Sequence, residues 1–260
     1  MRERPPPRER RGMTTPHNIQ PSSTVQPAVG TVPGARPIVL SARNLALAYD
    51  AHTHALRGVD LDIYSGQSLA IMGPSGCGKS TLLHCLAGIL APTGGRVLYG
   101  ERDLRDMRDA ARTKLRRTDF GFVFQDGQLL PELSALENVM LPRMLAGVSR
   151  RKAKTMAKHW LAALGLSGLE ERRPGQLSGG QAQRVAIARA LAGEPSVVYA
   201  DEPTGALDQQ MGQEVLHLLL RATADAGSAL VMVTHDQSVA AACARTIVMR
   251  DGQIEREVAR

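Results

Sequence analysis

Two glycine-rich stretches of this chain have the composition to hold anions. The first, "GPSGCGKS" from Gly73 to Ser80, matches G-x-x-x-x-G-K-[ST] without departure. Gly73, Pro74, Ser75, Gly76, Cys77 and Gly78 form a loop whose backbone N–H groups close round phosphates. A helix starting there adds roughly half a positive charge behind them. Lys79 is expected to reach the β and γ phosphates of a nucleoside triphosphate. Ser80 offers its hydroxyl to Mg²⁺, and Thr81 continues the first helical turn. Cys77 occupies a variable position and reads as a spectator thiol.

The second stretch is "LSGGQ", Leu177 to Gln181. Ser178 and Gln181 have the spacing of a capping box, which accounts for a helix start there. It does not account for Gly179 and Gly180, each of which costs a helix up to about 1 kcal/mol relative to alanine. Two glycines in a first turn make sense when something approaches the backbone closely, and an anion at a helix N-terminus is the natural candidate.

The elements that must position these stretches are legible as alternation. "SLAIMG", "SVVYADE" and "ALVMVTHD" are short apolar runs, the mark of parallel strands covered on both faces. Helical stretches, "STLLHCLAGIL" and "QAQRVAIARALAG" among them, separate them, so the layout is α/β. The latter helix is expected to stop at Gly193, before "EP". "VDLDIY" places Val59, Leu61 and Ile63 on one face of a half-buried strand. "DLRDMRDAARTKLRRTDF" reads as a mixed-charge surface helix. Residues from about 126 to 182 read as an inserted helical subdomain, in which the basic run Ser149–Lys154 reads as a solvated helix face, with a face toward lipid headgroups or a partner as the alternative. Asp251-Gly252 marks a terminal hairpin. The three apolar strands end at Gly73, at Asp201-Glu202 and at His235. Ligands of an open α/β sheet collect at the carboxyl ends of its strands. The phosphate loop, two carboxylates and a histidine therefore belong on one rim. There Asp201 suits Mg²⁺, Glu202 suits a general base on an attacking water, and His235 suits the γ-phosphate.

Composition narrows the function classes. The net charge is +7 and the isoelectric point about 9.8, but Arg2, Arg4, Arg8, Arg10, Arg11 and Arg36 face only Glu3 and Glu9 in residues 1–37. More than half of the excess charge is thus terminal, and the body is unremarkable. Aromatic residues make up 3%, too few for base-stacking platforms, so no nucleic-acid partner is expected. Eight of the 15 prolines also fall in residues 1–37, which predicts a disordered extension, with a membrane-surface tether as the alternative. Cys77, Cys85 and Cys243 have no metal-ligand spacing and suit a reducing compartment. No apolar run approaches the roughly 20 residues of a membrane span.

In this order, the phosphate loop, "FVFQ", "LSGGQ", "VVYADEPTGALD" and "VMVTHD" resemble the ATP-binding cassette ATPases from about residue 38 to the end. The resemblance implies a P-loop NTPase (RecA-like) core, an N-terminal antiparallel β subdomain and the inserted helical subdomain, within a domain spanning 38–260. It implies ATP and Mg²⁺ as cofactors and ATP hydrolysis as the activity. It implies a homodimer joined head to tail, in which Ser178, Gly179, Gly180 and Gln181 of one subunit cap the ATP held by the other. By the same resemblance Tyr49 stacks on adenine, Gln125 touches Mg²⁺ and leads into the helical subdomain, and Asp208 communicates between the two sites. "VFQDGQLLPELSALENVMLP" is similar to the ATPases of macrolide-export, lipoprotein-release and bacitracin-export systems, whose membrane subunits are separate permeases or fused ones. A separate transmembrane permease is therefore the expected partner, and the cytoplasmic face of the cell membrane the expected location. The alternative reading is a mechanical or signalling ATPase coupled to a permease-like partner.

Overall fold

Two sheets carry the fold. In the computed structural model, which describes residues 36–259 together with Met1, β1 (Ile38–Ala48) and β2 (His54–Tyr64) pair antiparallel. With β4 (Gly94–Tyr99) and the two-residue β5 (Arg102–Asp103) they form a sheet of order β2-β1-β4-β5. Val59, Leu61 and Ile63 of β2 are all buried on one face, as their alternation predicts. The second sheet contains β3 (Ser68–Met72), β6 (Phe120–Phe124), β7 (Val197–Asp201), β8 (Ala229–Val233), β9 (Arg245–Arg250) and β10 (Gln253–Ala259), in the order β10-β9-β3-β8-β7-β6. Its strands are parallel from β9 to β6, and β10 turns back antiparallel to β9. The turn is Asp251-Gly252, with φ of 48° and 79°, the left-handed pair that a two-residue hairpin requires.

The uninterrupted apolar runs are explained by burial on both faces of the parallel sheet. Val197 and Tyr199 of β7 join a core shared with the antiparallel sheet and α1 (Lys79–Leu86). Val198 and Ala200 point into a second core, built with α3 (Ala135–Leu145), α4 (Arg150–Ala163), α5 (Gly179–Leu191) and α6 (Gln209–Asp225). The remaining helices are α2 (Asp109–Thr118), before β6, and the short α7 (Gln237–Ala241), after β8. The α/β P-loop architecture with an antiparallel sheet and added helices is the one the sequence implied.

Local details differ from the reading of the sequence. The mixed-charge helix starts only at Asp109. Asp103 Oδ1 accepts from Arg105 N at 2.9 Å and Leu104 N donates to Val97 O at 2.8 Å. This short turn buries Leu104 beside β4 and delays the helix. α5 ends at Leu191, and the left-handed residue beyond it is Glu194, φ 52°, in place of Gly193. The range expected to hold a helical insert contains α3, α4 and the 3₁₀ turn Pro174–Gln176, and α5 leaves it to join the sheet core. Of residues 1–37, expected as a disordered extension, all but Met1, Arg36 and Pro37 lie outside the described residues. Pro37 O accepts from Ser65 N at 2.9 Å. Among the described residues no helix is long and apolar enough to cross a membrane.

Candidate functional site

The phosphate loop follows β3 directly, and two of its glycines, Gly73 and Gly78, answer to backbone crowding. A Cβ on Gly73 (φ 146°) would stand 2.3 Å from Met249 O, and one on Gly78 (φ 102°) 2.3 Å from Ala55 O. Both positions are closed to side chains by the fold itself. α1 then starts with Gly78 as N-cap, without a side-chain cap and without an acid in its first turn. Its first N–H groups therefore lack a side-chain partner. Lys79, 9% exposed, folds back so that Nζ donates to Gly73 O and Pro74 O, both at 2.9 Å. The cation is thereby stationed over the loop that its own helix terminates. Cys77 is buried, in keeping with a spectator role.

Parallel pairing delivers the rest of the rim. Register places Asp201 opposite Val233 and Ile71 opposite Val233, so β7 and β3 end level with β8. Ser80 Oγ donates to Asp201 Oδ1 at 3.4 Å. Burial raises the Asp201 carboxyl above its usual range, against the opposing pull of the Ser80 hydrogen bond and of nearby His84. Glu202 has φ 45°, a left-handed conformation that costs a non-glycine residue about 1–3 kcal/mol. Its N–H donates to Val233 O at 3.0 Å, and its side chain crosses to the end of β8. There His235 Nδ1 lies 3.0 Å from Glu202 Oε1. A cleft of about 500 Å³ opens between Ser80, Gln125, Asp201 and Glu202. A smaller cavity of about 200 Å³ lies between Glu202, Gly205 and His235. Gln125, just past β6, closes against Gly205, where an added Cβ would lie 3.1 Å from Gln125 Nε2. Tyr49 is 60% exposed, and its hydroxyl lies 3.3 Å from Thr81 Oγ1, beside the first turn of α1.

The second glycine-rich stretch is brought elsewhere. Ser178, Gly179, Gly180 and Gln181 are absent from the lining of the Asp201–Glu202 cleft. The capping box is complete: Gln181 N donates to Ser178 Oγ at 3.2 Å, and Ser178 N donates to Gln181 Oε1 at 3.0 Å. Gly180 has a packing reason that the sequence did not disclose. A Cβ there would meet Met211 Sδ at 2.3 Å. Gly179 is exposed, with Leu207 its nearest neighbour at 3.3 Å from an added Cβ. Asp208 caps α6, its Oδ1 accepting from Met211 N at 2.9 Å, so it also orients the methionine that packs on Gly180.

Two residues that sequence reasoning passed over tie these parts together. Gln183 is 3% exposed, and its Nε2 donates to Phe124 O at 2.8 Å and to Pro203 O at 2.7 Å. Arg189 donates to Gln128 O and Gly127 O, both at 2.7 Å. The signal for Gln183 was available: it shares a helical face with Ala186, Ile187 and Ala190, all buried, and a polar residue on such a face needs partners.

The residues matched by the family model described as "ABC transporter" are 56–205, which contain most of this geometry. The lipoprotein-releasing system ATP-binding protein LolD of Syntrophotalea carbinolica is 47% identical over 199 residues, 76% of this chain and 88% of that one. The uncharacterized ABC transporter ATP-binding protein YbbA of Escherichia coli is 46% identical over 202 residues, 78% of this chain and 89% of its own. The ATP-binding cassette MJ0796, solved as a dimer in a post-hydrolysis state bound to ADP and Pi, superposes with a TM-score of 0.76 at 40% identity, covering 85% of this chain and 98% of that one. A phosphate loop, a carboxylate rim and the "LSGGQ" signature at the start of α5 in one α/β domain, matched over more than half of its length, establish that this chain belongs to the ABC transporter family as one of its ATP-binding ATPase subunits.

Proposed function

We propose that this ATPase works as a head-to-tail homodimer that closes on two MgATP and drives a separate membrane permease of the lipoprotein-release or related export type. The observation that carries the trans arrangement is the contrast between the two helix starts. α1 begins uncapped beside Lys79, Ser80 and Asp201, whereas the start of α5 is self-capped and lies outside that cleft. A γ-phosphate held by one chain completes the exposed face of Gly179 on another. The dimeric state of MJ0796 and the likeness to LolD support this reading.

Within each composite site, the loop from Gly73 to Gly78 and Lys79 bind the phosphates, and Tyr49 stacks on adenine from beside Thr81. Ser80, Asp201 and Gln125 offer a hydroxyl, a carboxylate and an amide oxygen, the hard donors that suit Mg²⁺. When bound, Mg²⁺ neutralises charge on the phosphates. Glu202 takes the proton of the attacking water. As the water oxygen bonds to the γ-phosphorus, the bond to the β-bridging oxygen breaks, and ADP and phosphate result. His235, held by Glu202 Oε1, keeps that carboxylate aimed and leaves Oε2 to the water. Asp208 fixes the α6 start that supports Gly180. The permease holds the subunit at the cytoplasmic face of the membrane.

Mixing two inactive variants tests the arrangement. Lys79→Ala disables a phosphate loop, and Ser178→Arg disables only a signature. In trans, a mixed dimer has one fully defective site and one intact site, so mixing restores part of the MgATP-dependent dimerisation seen by light scattering. A mixture with no more dimer than either variant alone refutes the trans reading.

A further inference from the structure

We propose that Gln183 is a positioning residue that sets Gln125, and that through it α5 carries the state of its own N-terminus to the cleft. This rests on the reading of Gln125 above. Both amide hydrogens of Gln183 are committed to carbonyls on either side of the reaction centre. One carbonyl is Phe124 O, immediately before Gln125, and the other is Pro203 O, immediately after Glu202. The segment beyond Gln125 is held by the same helix, since Arg189 donates to Gly127 O and Gln128 O at 2.7 Å. Gly127, φ 70°, lies so close that an added Cβ would stand 3.2 Å from Gln183 Oε1. Gln125 is therefore suspended between two anchors of one helix, with three residues between Phe124 and Gln128 and no slack element.

The physical basis is the commitment of buried polar groups. Gln183 has no solvent to turn to, and neither carbonyl is replaced without loss. A helix start that shifts when an anion arrives at Gly179 shifts Gln183 one turn along, and Arg189 less than two turns beyond that, because a helix is stiff over this length. Phe124 O and Pro203 O then move as one unit. The amide of Gln125 and the carboxylate of Glu202 keep their spacing while the pair is displaced relative to Ser80. Sequence separation hides this link: Gln183 lies 59 residues from Phe124 and 20 from Pro203.

A double-mutant cycle on the full chain tests it, with MgATP turnover, KM and thermal melting measured for Gln125→Ala, Gln183→Met and the pair. Background is set by Glu202→Gln. Gln183→Met keeps the volume and removes both donors. It is expected to lower kcat by about tenfold to a hundredfold, the cost of a small misplacement, with KM little changed. Combined with Gln125→Ala it should lower kcat by much less than the product of the two single losses, because the main residue it positions is gone. A structural role would instead multiply the two losses, and that result overturns the inference while leaving the site reading intact. Wild-type turnover in Gln125→Ala overturns the role of Gln125 and the inference with it. If Gln183→Met fails to melt cooperatively, the same cycle is run with Arg189→Lys, which releases the other anchor. A loss there that Gln125→Ala does not absorb also overturns the proposal.

Discussion

The starts of α1 and α5 are both glycine-rich, and the fold completes them in opposite ways. At α1, Gly73 and Gly78 are imposed by backbone, with carbonyls of Met249 and Ala55 where side chains would be. The helix has no side-chain cap, and the nearby cation is tied to the loop carbonyls. At α5 the serine and glutamine cap each other, and the Met211 side chain of the same chain packs where a Cβ on Gly180 would stand. Of the two glycines, only Gly179 is exposed. One terminus is incomplete without a ligand in its own cleft. The other is a finished helix start whose exposed residues, Ser178 and Gly179, do not line that cleft. Glycine at a helix start thus answers to backbone crowding at one place and to side-chain packing at the other.

The largest effect expected from this comparison concerns the chemical step, which belongs to the α1 side. Glu202→Gln should bind MgATP as the parent does and turn it over at least about 10²–10⁴-fold more slowly. Near-normal turnover would remove Glu202 as the base and leave the rim without one.

The next effect separates binding from docking. Lys79→Ala should abolish nucleotide binding to the monomer, measured by fluorescence of a labelled ATP. Ser178→Arg should leave that binding unchanged and abolish only MgATP-dependent dimerisation. A loss of monomer binding in Ser178→Arg would mean that the two starts serve one site in one chain.

A third effect probes why Gly180 is glycine. Gly180→Ala should destabilise the free protein by about 1–3 kcal/mol through overpacking against Met211, a loss that the better helix propensity of alanine offsets by up to about 1 kcal/mol. Adding Met211→Ala should recover part of the melting temperature. If Gly180→Ala melts at or above the parent, the contact with Met211 is not what demands glycine.

The smallest effect is that of the cap alone. Ser178→Ala should cost about 1 kcal/mol in chemical denaturation without nucleotide. A cost near zero would mean that the α5 start is as bare as that of α1, and the comparison would collapse.

Much of the site was legible because its parts are local. Gly73 to Ser80 form a motif within one loop, and the apolar runs ending at Asp201 and His235 announce parallel strands whose ends must be level. The hairpin at Asp251-Gly252 was equally plain, since the turn chemistry is carried by the two residues themselves. Less legible were the features made by packing. Leu104 is drawn into the core by a turn that Asp103 makes, which shortens the helix expected there. Glu202 takes a left-handed backbone that nothing in "ADEPTG" announces. Gly180 looked like an anion contact and proved to have a methionine against it as well.

By itself, the sequence determined the α/β alternation, the phosphate loop, the carboxylate pair and the capped signature helix. Each depends on periodicity or on groups within a few residues of one another. Tertiary structure alone decided which of these meet. It set Ser80 against Asp201, 121 residues apart, and His235 against Glu202. It kept the signature out of the cleft lined by Ser80, Asp201 and Glu202. It also gave Gln183 two carbonyls from distant loops. The reason is physical: a buried hydrogen bond is specified by where three-dimensional packing leaves an unpaired donor or acceptor, and residue spacing along the chain does not encode that position.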